Sequence, residues 1–216
     1  HERIQSFTGS IGISGIQQNN TYEGRFFIPN FQKYGSGIFL TERWKPVGSK
    51  LELEGGARYD YLFQEVFLWE NKVVVSDEFH YSNFSGSLGA VYQFNPKLLV
   101  RTNAGTSWRP PNVNELYSNG LHQGVAAMEI GDKTMEPERA LNFTGSIEYS
   151  GKKLNINLAG YHNYINNFIY LKPTQPPTLT IRGAFPTFRY TQTDATLSGI
   201  DLTLKYDMPL NLNITS

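Results

Sequence analysis

Leu51-Glu52-Leu53-Glu54-Gly55-Gly56-Ala57-Arg58-Tyr59-Asp60-Tyr61 alternates without a break. In an extended chain, successive side chains point to opposite faces. One face of this segment therefore carries Leu51, Leu53, Gly55, Ala57, Tyr59 and Tyr61. The other carries Glu52, Glu54, Gly56, Arg58 and Asp60. The pattern predicts a strand with one apolar and one hydrophilic face. It recurs through Phe84–Phe94, Leu141–Tyr149, Leu154–Leu158 and Ile200–Tyr206. Tyr34 to Trp44 reads as a strand whose facing is ambiguous.

The connections between these strands are of two kinds. Pro46-Val47-Gly48, Asn95-Pro96, Ser150-Gly151-Lys152 and Asp207-Met208-Pro209 are tight turns, with Pro and Gly where turn geometry needs them. Residues 16–33, 65–80, 110–136 and 172–187 read as long loops without regular strands. Several such loops are unusual in a compact soluble domain. An outer-membrane barrel has them by rule, with short periplasmic turns and long extracellular loops.

The aromatics sort the same way. Trp44, Tyr92, Phe94, Tyr149 and Tyr206 lie beside short turns. Tyr34, Tyr61, Phe63, Tyr81, Trp108, Phe168, Tyr170 and Tyr190 lie near long loops. Two bands of amphipathic rings separated by aliphatic strand centres suggest girdles at two membrane interfaces. A soluble β-sandwich would alternate too, but it has no reason to sort long and short loops to opposite ends.

Composition agrees and narrows the classes. Lys plus Arg and Asp plus Glu balance at 19 each, which offers no support for nucleic-acid binding. There is no cysteine, so disulfides and thiolate metal sites are impossible. No run of about 18 apolar residues occurs, which excludes a helical membrane protein and leaves a barrel open. No catalytic signature stands out, and the chain reads as a non-enzyme. His1, His80, His122 and His162 are scattered, without structural-zinc spacing. The fold expected is all-β: an antiparallel transmembrane β-barrel segment of about nine strands. Single-chain bacterial barrels close with an even number, so further strands are expected outside these residues.

The most distinctive stretch is Arg101 to Glu138, RTNAGTSWRPPNVNELYSNGLHQGVAAMEIGDKTMEPE. A strand ends in Trp108-Arg109-Pro110-Pro111, and Asn114-Glu115-Leu116-Tyr117, Gly120, His122 and Gly124 follow. The block closes with Glu129, Gly131 and Glu136-Pro137-Glu138. It resembles the TonB-dependent outer-membrane receptors, with Met135 where that family usually has Leu. Gly56, Arg58, Tyr59 and Asp60, then Tyr164 to Tyr170, then Ala195, Gly199, Ile200 and Asp201 are similar to its other strand motifs.

The resemblance implies a piece, residues 1–216, of a barrel with roughly 22 strands, plugged by a separate domain. The plug, the first strands and the C-terminal strand are expected to lie outside these residues. The implied function is uptake of a scarce nutrient across the outer membrane of a Gram-negative bacterium. The expected cargo is a ferric siderophore, and the expected partners are outer-membrane lipid and, through the plug or N-terminus, the TonB complex. No cofactor is expected beyond the iron chelate carried as substrate. A haem or cobalamin receptor and a passive porin are the alternatives. Arg109 is the first candidate to touch an anionic chelate, through guanidinium hydrogen bonds, with anchoring of its own loop as the competing role. His122 is a candidate axial ligand to haem iron. Trp69, Tyr117 and Trp108 are candidates to stack on an aromatic chelator. Trp108, Pro110, Asn114, Glu115, Leu116, Gly120, Glu129, Pro137 and Glu138 are read as structuring the loop.

Overall fold

The computed structural model describes residues 6–23, 27–70 and 72–207, and the backbone of 213–215. Eight long strands form an antiparallel meander: β1 (Phe7–Asn20), β2 (Asn30–Trp44), β3 (Leu51–Glu70), β4 (Val73–Asn95), β5 (Leu98–Arg109), β8 (Glu138–Ser150), β9 (Leu154–Thr180) and β10 (Gly183–Asp207). A three-residue strand, β11 (Asn213–Thr215), pairs with β10 and begins a ninth. Between β5 and β8 the chain forms one short helix, α1 (Val113–Tyr117), and a small hairpin, β6 (Asn119–His122) and β7 (Ala127–Ile130). Among the described residues the sheet does not close on itself.

Register carries the alternation across the whole sheet. Ile11 faces Leu40, Leu40 faces Ala57, and Ala57 faces Gly86. Leu141 faces Tyr164, and Leu158 faces Leu202. This outer face leaves Ile13 86%, Phe84 70%, Leu88 65% and Ile200 79% exposed. Water tolerates so large an apolar patch poorly, whereas lipid accepts it. The opposite face holds charge in pairs: Glu52 with Arg43 and Lys45, Arg58 with Asp60, and Arg101 with Glu148. The ambiguity of 34–44 is also explained. Even-numbered residues from Tyr34 to Trp44 face outward, but Glu42 interrupts them between Gly9 and Gly55. Phe39 faces inward, 5.8 Å under the Arg58 guanidinium.

The short turns form as their residues require. Ser49 N donates to Pro46 O at 3.1 Å with Gly48 at φ 77°, a conformation that favours glycine. Asn95 Oδ1 accepts from Lys97 N and Leu98 N at 2.9 and 3.1 Å, an Asx turn around Pro96. The Asp207-Met208-Pro209 turn lies outside the described residues beyond Asp207.

Two of the expected loops are largely strand, and a third is half strand. Residues 65–80 continue the β3–β4 ladder from Glu65↔Glu78 to Glu70↔Val73, and 172–187 continue β9–β10 to Thr180↔Gly183. Half of 16–33 belongs to β1 and β2, which pair as far as Asn20↔Phe31. Among the described residues, 110–136 departs from the hairpin pattern, with a helix and a small hairpin of its own. The hairpin extensions escape period-2 reading because neither face of them is consistently apolar: Glu65 pairs with Glu78, and Val73, Val74 and Val75 run together.

Candidate functional site

The buried core lies at the loop end of the sheet. Phe31, Val66, Val113, Leu116, Tyr117, Met135 and Ile169 form one cluster, with Ile28, Leu68, Phe79 and Tyr190 packed against it. Three of the buried members (Phe31, Val66 and Ile169) come from the wall, and four come from the 110–136 segment. That segment is therefore folded onto the inner face of the hairpin extensions rather than projecting from them. Burying several such side chains, each contributing about 1.5–3 kcal/mol, offsets the entropy of ordering the segment.

Arg109 is the root of the fold. Its Nη1 donates to both Glu115 carboxylate oxygens at 3.0 and 2.8 Å. Its Nε and Nη2 donate to Glu138 at 3.1 and 2.8 Å. One planar guanidinium thus joins the strand end, the helix and the start of β8, a double fork that lysine cannot reproduce. Glu115 also accepts from Asn112 N at 2.6 Å, closing the first turn of α1. Glu138 accepts from Ile169 N at 2.6 Å on β9. Arg109 therefore performs the anchoring role, with its hydrogen-bonding edge occupied from inside the chain.

Glu115, Leu116 and Tyr117 are all buried. Gly131 N donates to Ser118 O at 2.7 Å and Asp132 N to Glu115 O at 2.9 Å, so the end of the small hairpin lies directly on the helix. A Cβ on Gly131 would stand 2.6 Å from the Leu116 carbonyl carbon, which explains the glycine. Tyr117 packs edge-on against Phe79 at 6.1 Å, and its hydroxyl donates to Asp77 at 2.5 Å. Lys133 donates to the same carboxylate at 2.9 Å and lies 4.6 Å from the Tyr117 ring centroid. The Tyr117 hydroxyl bond, then Lys133, hold the Asp77 carboxyl below its ordinary value. Burial, then Asp77, push the Tyr117 hydroxyl up. Tyr117 is spent on the loop's own packing.

A second network holds the small hairpin. Glu129, 4% exposed, accepts from Tyr190 Oη at 3.1 Å, and its other oxygen lies 2.7 Å from His122 Nδ1. Asn114 Nδ2 donates to Tyr190 Oη at 3.0 Å. Burial pushes the Tyr190 hydroxyl up to about 12. β7 also adds to β10 as a parallel strand, with Phe188 opposite Glu129. A carboxylate on Nδ1 favours the tautomer that leaves Nε2 as the open nitrogen. The His122 ring lies 5.0 Å from that of Phe27. Among the described residues no three His, Asp or Glu side chains gather as a metal site.

The remaining candidates divide. Gly120 adopts φ 159°, extended backbone between Asn119 and Leu121. Pro110 lies at the strand end, and Pro137 precedes the Glu138 anchor. The Trp108 indole reaches Asp60 Oδ2 at 3.5 Å, so it turns to the inner side instead of joining a girdle. It can do so because β4–β5 pairing ends at Ser87↔Gly105, three residues before it. Tyr81 and Tyr190 also face inward, toward Phe79 and Glu129. Trp69 is 73% exposed near the tip of the β3–β4 hairpin, in alternation with the buried Val66 and half-buried Leu68. The structure therefore brings Arg109, Tyr117 and His122 into one folded segment and leaves Trp69 outside it. Asp77, Lys133 and Tyr190 were missed in the sequence because their roles depend on contacts across 40 or more residues.

An antiparallel wall with an apolar exterior, a paired polar interior and an inward-folded Trp-Arg…Glu-Leu-Tyr segment invites comparison with known barrels. Residues 4–216 match the profile of the TonB dependent receptor-like β-barrel family. The chain belongs to that family. An iron-regulated outer membrane virulence protein of Vibrio cholerae serotype O1 is 23% identical over 219 residues, covering 96% of this chain and 30% of the relative. Among solved structures, the Serratia marcescens hemophore receptor HasR, in complex with its hemophore HasA and heme, aligns with a TM-score of 0.72. It is 18% identical, covering 94% of this chain and 37% of that one. The copper transporter OprC aligns at 0.71 with 17% identity, over 95% and 34%. The alcaligin receptor FauA of Bordetella pertussis aligns at 0.60 with 14% identity, over 97% and 34%. This TonB-dependent receptor barrel segment thus spans about a third of the length of the proteins it matches. At these identities the solved structures speak for the fold alone.

Proposed function

We propose that this chain is part of the wall and outer mouth of an active receptor in a Gram-negative outer membrane. The receptor takes up a scarce nutrient, a ferric siderophore above all, with energy from the TonB system. The observation that carries the reading is the inward-folded segment. Its Arg109 double fork and Tyr117–Asp77 contact build a shaped, rigid surface at the loop end of the wall. A wide barrel that only passed solutes would gain little from such a surface, whereas a receptor needs one to select cargo. The family membership, and the iron-regulated relative from Vibrio cholerae, support the same direction.

One observation favours a second cargo class. His122 is oriented through Nδ1 by buried Glu129, and an imidazole held in this way is ready to ligate a metal through Nε2. Cargo with an open axial position, such as haem, would use it.

The test is tryptophan-fluorescence quenching of the intact receptor in detergent, against ferric catecholates, ferric hydroxamates, haem and cobalamin. Tight binding of a ferric chelate that survives His122→Ala supports the siderophore reading. Haem binding lost on His122→Ala moves the cargo to haem. No binding anywhere on the panel, with ion conductance in a planar bilayer, would point to a passive porin and refute the receptor.

A further inference from the structure

Below the root of the folded segment, the inner faces of β1, β2 and β3 and the end of β5 enclose a cleft of about 450 Å³. Ser14, Ile16, Lys33, Arg58, Trp108 and Arg109 contribute to its lining. Three cations thus meet one partly apolar cavity. Two of them are fully engaged. Arg58 is held by Asp60 at 2.6 Å and donates to Ser14 Oγ at 2.7 Å. Arg109 is shared between Glu115 and Glu138.

Lys33 differs. It sits on β2 opposite Gln64, partly buried, with its ammonium 6.0 Å from the Phe31 ring centroid. No carboxylate among the described residues lies within ion-pair distance of it. The charges that act on it are Glu115 and Arg109, and these are already bonded to each other. A partly desolvated ammonium without a counter-ion is costly, and the usual remedy is an anion brought to it. The surroundings suit a small molecule: Ile16, Leu62, Pro110 and one indole supply apolar wall, and Ser14, Ser36 and Asn112 supply polar groups, while the lining carboxylate Asp60 is held by Arg58.

We propose that Lys33 is the anion anchor of this cleft and binds a carboxylate carried by the incoming iron complex, with the Trp108 indole as the apolar wall beside it. The inference rests on the receptor reading and adds the chemistry of one cargo contact. A carboxylate could also come from the plug, and the experiment separates the two sources.

Lysines of the intact receptor in detergent are acetylated with an N-hydroxysuccinimide ester, and modification of Lys33 is read by mass spectrometry. The probes are ferric citrate and haem, both bearing carboxylates, and a ferric tris-hydroxamate without them. Lys33 should be reactive in the free receptor and protected by at least one carboxylate-bearing probe, but not by the hydroxamate. Lys33→Gln should weaken binding of the protecting probe about tenfold or more, and Lys33→Arg should restore most of it. Lys33 unreactive before any probe is added, and exposed only when the plug is displaced by denaturant, would assign its partner to the plug and overturn the proposal. Reactivity unchanged by every probe would overturn it too. So would equal losses for all probes in Lys33→Gln, which would mark a structural lysine. Chelate uptake that persists with Lys33 unprotected sinks this proposal alone. Absence of all chelate binding sinks the receptor reading instead.

Discussion

Replacing Arg109 with alanine should release the 110–136 segment without unfolding the wall. The guanidinium supplies hydrogen bonds to two carboxylates whose side chains are 11% and 14% exposed, Glu115 and Glu138. Removing one partner of a buried ion pair costs about 3–5 kcal/mol, because the other is left buried and unpaired. Two features lower that figure here. Arg109 is itself 37% exposed, and both carboxylates keep a backbone donor, Asn112 N and Ile169 N. An expected loss of about 2–3 kcal/mol remains. It falls on local opening, because the β5–β8 ladder from Leu98↔Tyr149 upward does not depend on Arg109. The assay is amide hydrogen exchange of the intact receptor in detergent, read at Leu116, Ser118, Gly131 and Asp132. Their N–H groups bond only within the segment. Their exchange should accelerate by about 30- to 150-fold, while β3 and β8 amides stay unchanged. Arg109→Lys should recover only part of the protection, since an ammonium cannot serve both forks. Unchanged exchange at these four amides in the alanine variant would refute the claim that Arg109 anchors the fold.

Three further outcomes follow from the same geometry. Gly131→Ala places a Cβ 2.6 Å from the Leu116 carbonyl carbon, so tryptic cleavage after Lys133 should speed up severalfold or more, and an unchanged rate would mean the contact can relax. Asp77 titrates below its ordinary 3.8 in the folded state. Its contribution is therefore complete above that value and is lost as pH falls through the lower folded value. Pepsin should open the segment more readily as pH drops from 4 toward 2, and Asp77→Asn should flatten that part of the profile; an identical profile in the variant would remove Asp77 from the latch. Trp69→Ala should leave chelate affinity within about twofold, because Trp69 stands clear of the folded segment, and a larger loss would restore it as a cargo contact.

The membrane-spanning part of the wall was legible because lipid enforces a strict rule on it. Leu53, Ala57 and Tyr59 must face one way and Glu52, Arg58 and Asp60 the other, and their register partners repeat the choice. Where that rule lapses, so does the signal. Glu65 stands directly opposite Glu78, and Val73, Val74 and Val75 are consecutive, yet both stretches are regular ladder. At Asn167, φ is 56° and the register against β10 shifts between Thr193 and Ala195. Even-numbered Ile200 and Leu202 face outward below this irregularity, whereas even-numbered Tyr190 points inward above it, so the alternation of the lower part of β10 does not predict its facing. Lys33 was passed over for a related reason: it falls in a stretch without outward apolar alternation, which read as loop.

The folded segment shows a different relation between sequence and role. Its residues are conspicuous in the sequence: Arg109 and Tyr117 are candidates for cargo contact, Arg109 with anchoring of its own loop as the competing role, and Glu115 and Glu138 read as structuring the loop. The distances favour structure over cargo contact. Arg109, Glu115, Tyr117 and Glu138 meet one another or the wall, so their polar groups are satisfied before any ligand arrives. The segment lies on the inner face of the wall, and besides its buried apolar cluster it fixes its shape with charge-assisted bonds and close backbone contacts such as that at Gly131. That demand is independent of cargo, whereas cargo contacts must differ from one receptor to another. The groups left open by this scaffold, Lys33 and His122 Nε2, stand beside it without forming a recognisable motif. Selectivity in this wall is therefore best sought among polar groups that the scaffold leaves unused.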